Sequence, residues 1–200
     1  MSRKDAYKMK REHLIVGFSI ALTILNFGIT HASEKYNFRK TRWGMTKERV
    51  LQAESAKLLK QENGDLFFST KLLDKYSVKV IYIFIKDKLV EARYQKEVQK
   101  GKEKILFSAK RDFYSALKEI YGEPLKEDEN QYTEEELMGE TTDYYWETDD
   151  TEIHLYCIYL PQLKFCDVAI CYVSKDLKHL IELEKEKKRK KAKNKYKGAL

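Results

Sequence analysis

The chain has 200 residues, of which 42% are hydrophobic, 36% are charged and 12% are aromatic. This length suits one domain with its own hydrophobic core, and the aromatic content excludes a chain that is disordered throughout. Basic residues outnumber acidic ones by 39 to 32, which gives a formal net charge of +7. The positive charge is concentrated at the two ends of the chain, and the segment between them is mildly acidic.

Residues 1–32 have the three parts of a secretory signal peptide. Basic residues come first: Arg3, Lys4, Lys8, Lys10 and Arg11. An uncharged apolar run, LIVGFSIALTILNFGIT, follows, and Thr30 and Ala32 suit cleavage before Ser33. An uncleaved anchor is the alternative, since the run reaches the lower limit of the roughly 17–25 residues that span a bilayer. We therefore expect an exported protein, periplasmic or secreted if cleaved and membrane-anchored if not.

The run WGMT, next in the chain, has the pattern of a helix start. Thr46 is a suitable N-cap because its hydroxyl can accept a hydrogen bond from a free amide of the first turn. Met45 before it and Val50 after it have the spacing of a hydrophobic staple. Gly44 allows a tight backbone approach, and Trp43 is large enough to cover one end of a core. No nucleophile, base or metal ligand accompanies the run, so we interpret it as structural.

The elements after this start alternate between helix and strand. The first helix is predicted from residue 47 to about residue 60. A strand, GDLFFSTKLL, and a hairpin, SVKVIYIFIKDKLVEARYQ, follow it. A second helix is predicted from residue 104 to 121, ended by YGEP. Apolar residues three or four apart form its buried face: Leu106, Ala109, Phe113, Leu117 and Ile120.

The segment from residue 123 to 152 is acidic, with Lys126 as its only basic residue. Most of residues 126–142 is interpreted as a solvated loop. Strands return with YYWE, TEIHLYCIYL and KFCDVAICYV. The order helix–strands–helix–strands predicts an α+β domain over residues 33–178, with two main helices packed on one face of a mostly antiparallel sheet.

One local motif and the order of the elements resemble known proteins. WGMTKERV is similar to the helix start of the SmpA/OmlA (BamE-like) envelope proteins, whose fold is shared with β-lactamase-inhibitor proteins. The order of elements, with DKLVEARY in a hairpin and YGEP closing a helix before a Trp-containing strand, resembles a group of uncharacterised exported bacterial proteins. The resemblance implies a binding or scaffolding module of the cell envelope whose partner is a protein.

The histidines and cysteines are the candidate groups for chemistry. His154 and Cys157 are the candidate metal ligands, but residues three apart on a strand point to opposite faces. A disulfide among Cys157, Cys166 and Cys171 stays open beside three buried thiols, because an exported chain meets oxidising conditions. The chain contains no G-x-S-x-G, no H-E-x-x-H and no glycine-rich phosphate loop. We therefore expect no cofactor and no catalytic activity, with an enzyme that uses His154 and a cysteine in one pocket as the further alternative.

Residues 179–200 form a lysine-rich tail, expected to be helical or disordered. Its densest basic run is Lys187, Lys188, Arg189, Lys190 and Lys191. Such a run can contact polyanions, and export favours an anionic membrane surface over nucleic acid as the partner. A solvated tail that binds nothing specific is the remaining alternative.

Overall fold

The computed structural model describes residues 36–99, 101–134, 137–160, 162 and 165–197. The predicted signal peptide or anchor, residues 1–32, lies outside the described residues. Among the residues that are described, no helix is long and apolar enough to cross a membrane.

The described chain forms three helices and eight strands. The helices are α1 (Lys47–Ala53), α2 (Glu103–Tyr121) and α3 (Lys178–Lys197). The first four strands are β1 (Lys57–Glu62), β2 (Asp65–Leu72), β3 (Tyr76–Ile85) and β4 (Lys88–Glu97). The last four are β5 (Lys126–Glu134), β6 (Leu137–Glu147), β7 (Thr151–Leu160) and β8 (Phe165–Ser174).

All eight strands belong to one antiparallel sheet in the order β1-β2-β3-β4-β8-β7-β6-β5. Strands that follow each other in the chain pair as neighbours within each half of the sheet. The two halves join where β4 pairs with β8, with Tyr94 opposite Ile170. We call this junction the seam.

Helix α2 and the segment around α1 pack on the same face of the sheet, which we call the covered face. Register partners on this face run from β2 to β6: Phe68, Val80, Tyr94, Ile170, Leu155 and Tyr144. Leu106, Ala109, Phe113 and Leu117 of α2 are buried against the β7–β8 half of this row. Phe38 and Val50 are buried against the β2–β4 half.

We call the opposite face the second face. Helix α3 crosses it near the start of β2 and the end of β3. Register partners on the second face include Ile81, Arg93, Cys171, His154 and Tyr145. Leu180 of α3 is buried, and the helix contacts β3 and β4. Polar and aromatic side chains on the rest of this face include Gln95, Asp167, Tyr156 and His154.

The expected fold class, with two main helices packed on one face of a sheet in the order helix–strands–helix–strands, is wrong. The described residues are mostly strand, in one large eight-stranded antiparallel sheet with three helices. Of these described helices, the first has only seven residues, and the longest, α3, lies in the tail. The sheet is larger than expected because two segments that were assigned to other structure add strands at its edges.

Both misassigned segments form outer strands. Residues 57–60, expected to end the first helix, belong to β1, which a two-residue turn at Asn63-Gly64 pairs with β2. Both turn residues have positive φ, the requirement of a tight hairpin turn, and the Asn-Gly pair was the sequence signal for it. Most of residues 126–142 was expected as a solvated loop, but residues 126–134 form β5 and residues 137–142 belong to β6. Charged residues are common on outer strands because they discourage edge-to-edge aggregation, so an acidic composition does not exclude a strand.

Candidate binding surfaces

The WGMT run contacts both β4 and β7. Thr46 is at the N-cap of α1, where its hydroxyl accepts a hydrogen bond from the Arg49 amide at 3.4 Å. Gly44, with φ of +80°, donates from its amide to the Leu89 carbonyl at 2.9 Å, and the Leu89 amide donates to the Met45 carbonyl. The Trp43 indole nitrogen donates to Thr151 Oγ1 at 2.9 Å. The contacts of Gly44, Met45 and Trp43 anchor the helix start to the sheet.

A buried ion pair holds the chain directly after α1. The Glu54 carboxylate, with 1% of its side chain exposed, accepts from Arg39 Nε at 2.7 Å and Nη2 at 3.0 Å. It also accepts from the Tyr82 hydroxyl at 2.5 Å and from the Ala56 amide at 2.8 Å. Burial opposes ionisation, but the hydrogen bonds from Arg39 and Tyr82 outweigh it and lower the pKa of Glu54. A small cleft of about 250 Å³ lies beside Glu54. Because the Glu54 carboxylate is already occupied by these hydrogen bonds, we assign it a structural role.

The middle of the second face contains the buried polar atoms without partners. Asp167 is 1% exposed, and its Oδ2 accepts from Gln95 Nε2 at 2.8 Å and from the Tyr156 hydroxyl at 3.3 Å. Its Oδ1 and the Nε of Arg93 lack a hydrogen-bond partner within the described part of the chain. Burial raises the pKa of Asp167. Asp167 Oδ1 can therefore accept one further hydrogen bond, and Arg93 Nε can donate one.

His154 lies in an aromatic and acidic group on the second face. Its Nε2 is 2.7 Å from Asp143 Oδ1, and its ring stacks on Tyr145 with the ring centres 4.4 Å apart. Cys171 is its register partner on β8, a cross-strand neighbour that spacing along one strand could not reveal. Cys157, the partner considered from the sequence, lies on the covered face instead.

The three cysteines are free and buried. Cys157 and Cys166 belong to the core of the covered face, whereas Cys171 lies on the second face beside His154. Burial raises the pKa of both Cys157 and Cys171 to about 12. A thiol nucleophile needs a lowered pKa, so the His154–Cys171 neighbours do not form an activated pair. Within the described residues, no group of three or more His, Cys, Asp or Glu side chains could hold a metal ion.

We predict that the thiols of the folded protein resist alkylation. With iodoacetamide at pH 8, the native chain should remain unlabelled over a period in which the urea-unfolded chain gains three labels, because the thiolate is both buried and scarce. Intact-mass measurement counts the labels. Fast labelling of any cysteine in the native chain would show that its thiol is accessible.

Helix α3 presents the basic run that the sequence indicated. Side chains from Lys185 to Lys193 are exposed on a helix that begins at Lys178. Its first turns are attached to the domain by buried Leu180 and by Lys178, whose Nζ contacts Glu152 Oε1 at 2.7 Å. A cleft of about 670 Å³ separates α3 from the ends of β2 and β3. Asp65, Ile83, Ile181 and Lys188 are among the residues that line it.

Comparisons with known proteins add no relative. No protein-family model matches the chain, and neither a curated protein nor a solved structure matches it. The likeness of WGMTKERV to the BamE-like envelope proteins, and that of the element order to uncharacterised exported proteins, therefore stay predictions from the sequence.

Proposed function

We propose that this chain is an exported, non-catalytic protein of the cell envelope that binds an anionic lipid surface through α3. The observation that carries the proposal is the exposure of a lysine-rich helix that is fixed to the domain at its first turns. The N-terminal sequence supports export. The domain then acts as a binding or scaffolding module, held at the surface by α3 alone or together with an uncleaved N-terminal segment.

The charge on α3 is sufficient for reversible adsorption. The basic side chains with described, exposed positions surround the helix: Lys185, Lys187, Lys188, Arg189, Lys190, Lys191 and Lys193. About half of them can face a surface at once. Two of them are partly neutralised on the same helix, Lys185 by Glu182 at 2.9 Å and Lys187 by Glu184 at 3.8 Å. Three free charges at about 1 kcal/mol each give roughly 3 kcal/mol, which is about a hundredfold in binding.

We predict that removing charge from α3 releases the protein from anionic vesicles. Lys187→Gln, Lys190→Gln, Lys191→Gln and Lys193→Gln together should weaken co-sedimentation with vesicles of phosphatidylglycerol and phosphatidylcholine by about a hundredfold. The same four positions changed to arginine are the matched control, since arginine retains both charge and helix propensity. Binding of the wild type should also fall as salt is raised.

Two results would contradict this function. Equal binding of the glutamine and arginine variants would show that charge on α3 does not hold the protein at the membrane. Equal binding of the wild type to vesicles of phosphatidylcholine alone would assign adsorption to the apolar N-terminal run. Far-ultraviolet circular dichroism of both variants checks that the helix is retained.

A further inference from the structure

Acidic side chains are gathered at one edge of the sheet. The segment from residue 123 to 152 holds thirteen acidic residues and a single basic one. It includes β5, the outermost strand, and all of β6. Glu127 and Glu129 of β5 are exposed, and Asp128 is half-buried. We call β5 and β6 the acidic edge.

Helix α3 leads away from the acidic edge. Near its start, Lys178 contacts Glu152 of β7, the sixth strand in the order of the sheet. Ten residues further on, Lys188 lines the cleft with Asp65 of β2, the second strand in that order. The helix therefore crosses the sheet toward β1, and its lysine-rich half lies at the opposite side from the acidic edge.

The two regions of charge are too far apart to neutralise each other within one molecule. Six strand spacings of about 4.8 Å separate β2, near which Lys188 lies, from β5, which gives about 29 Å. This distance is between about three and four Debye lengths at physiological ionic strength, so attraction between Lys188 and the outermost acidic strand is screened. Part of the acidic edge is engaged locally, since Lys126 contacts Asp128 and Lys110 Nζ lies 4.0 Å from Glu129. Glu127 accepts a hydrogen bond from the Tyr144 hydroxyl but is exposed at the outer strand, where a second molecule can approach.

We propose that copies of this chain associate head to tail, with the lysine-rich half of α3 of one molecule against the acidic edge of the next. The partner is a second copy because the charge that complements each region occurs at the opposite side of the same sheet. Such a contact joins two different surfaces, so every pair retains one free α3 and one free acidic edge, and the contact can repeat. This goes beyond adsorption to lipid, because both interactions use the same lysines and an anionic membrane would compete with the neighbouring molecule.

Two variants, each lacking one of the two surfaces, test the direction of assembly. The edge variant carries Glu127→Gln, Asp128→Asn and Glu129→Gln, and the helix variant carries the four lysine-to-glutamine changes described above. The full-length chain is kept in a non-ionic detergent, which covers the apolar N-terminal run without adding charge. Sedimentation velocity at low salt should show the wild-type mass rising at least about twofold with concentration and returning to that of one chain near 0.5 M salt.

Each variant alone should keep the mass of one chain at low salt. Their equimolar mixture should form pairs and no larger species, since the edge variant supplies an intact α3 and the helix variant an intact acidic edge. A matched control, Glu97→Gln with Glu119→Gln, removes exposed acids outside the acidic edge and should assemble like the wild type.

Assembly by either variant alone, or a mixture that stays at the mass of one chain, would overturn the head-to-tail contact. Vesicle binding separates this proposal from the function proposed above. The edge variant should bind phosphatidylglycerol vesicles at least as well as the wild type, because its α3 is unchanged. Loss of assembly with retained vesicle binding supports both proposals, whereas assembly that fails in the wild type overturns only the association between copies.

Discussion

Replacement of Glu54 by alanine is expected to lower the free energy of unfolding by about 3–5 kcal/mol. The side chain is 1% exposed and accepts hydrogen bonds from Arg39, Tyr82 and Ala56. Without it, the Arg39 guanidinium stays partly buried with no counter-ion, and the Tyr82 hydroxyl loses its acceptor. Urea unfolding followed by tryptophan fluorescence measures the loss. Glu97→Ala is the control. The ion pair of Glu97 with Lys79 is solvent-exposed, so its loss should lower the free energy of unfolding by less than about 1 kcal/mol.

The same substitution should change how stability depends on pH. The pKa of Glu54 in the folded chain is lowered from its ordinary value of 4.5 by its hydrogen bonds to Arg39 and Tyr82, against the opposing effect of burial. A carboxylate of this kind stabilises the fold above its unfolded pKa, and the contribution is lost as the pH falls through the folded pKa. The difference in stability between wild type and variant should therefore shrink on acidification below about pH 4.5. A difference that stays constant down to pH 3 would contradict the ion-pair explanation.

Truncation of Phe113 to alanine is expected to lower the free energy of unfolding by about 3–5 kcal/mol. Phe113 lies on the inner side of α2, is 1% exposed, and meets Tyr76 edge to face with ring centres 5.3 Å apart. Its removal leaves a cavity where α2 packs on the covered face, and the neighbouring strands cannot close it fully. Thermal and urea unfolding both report the change.

Ile120 on the same helix is the control, because its truncation is expected to have almost no effect on stability. Its side chain is 68% exposed, although the apolar spacing of the sequence placed it on the buried face with Phe113. Ile120→Ala should change the unfolding free energy by less than about 0.5 kcal/mol. A cost comparable with that of Phe113→Ala would mean that Ile120 is covered in solution.

The elements predicted well were those in which periodicity and burial agree. Helix α2 was predicted within one residue at its start and to the same last residue because Leu106, Ala109, Phe113 and Leu117 do face the sheet. The β7 and β8 strands were recognised from runs of β-branched and aromatic residues. β1 was not predicted because all of its side chains are exposed, and a strand without a buried side shows no alternation of polar and apolar residues. β5 was missed for a related reason, since its acidic composition resembles that of a loop.

The candidate surfaces were harder to predict than the strands. The neighbours Cys171 and His154 come from different strands, so their adjacency depends on a register that the sequence does not contain. The same holds for Glu54, Arg39 and Tyr82, where Tyr82 is 28 residues from its partner Glu54. The basic run of α3 was visible as composition, but its position opposite the acidic edge follows from the strand order.

The seam has a consequence for the route by which the chain folds. Apart from the seam, every strand pairing is a local hairpin, whereas β4 and β8 join residues 70 to 82 positions apart. Hairpins form on the scale of about 1–10 μs. Closing a loop of 70 to 82 residues has an entropy cost that the first contacts across the seam do not offset. We expect two preformed half-sheets whose docking at the seam limits the folding rate. Substitutions at the seam, such as Tyr94 or Ile170, should then slow refolding, whereas those in β1 should mainly speed unfolding.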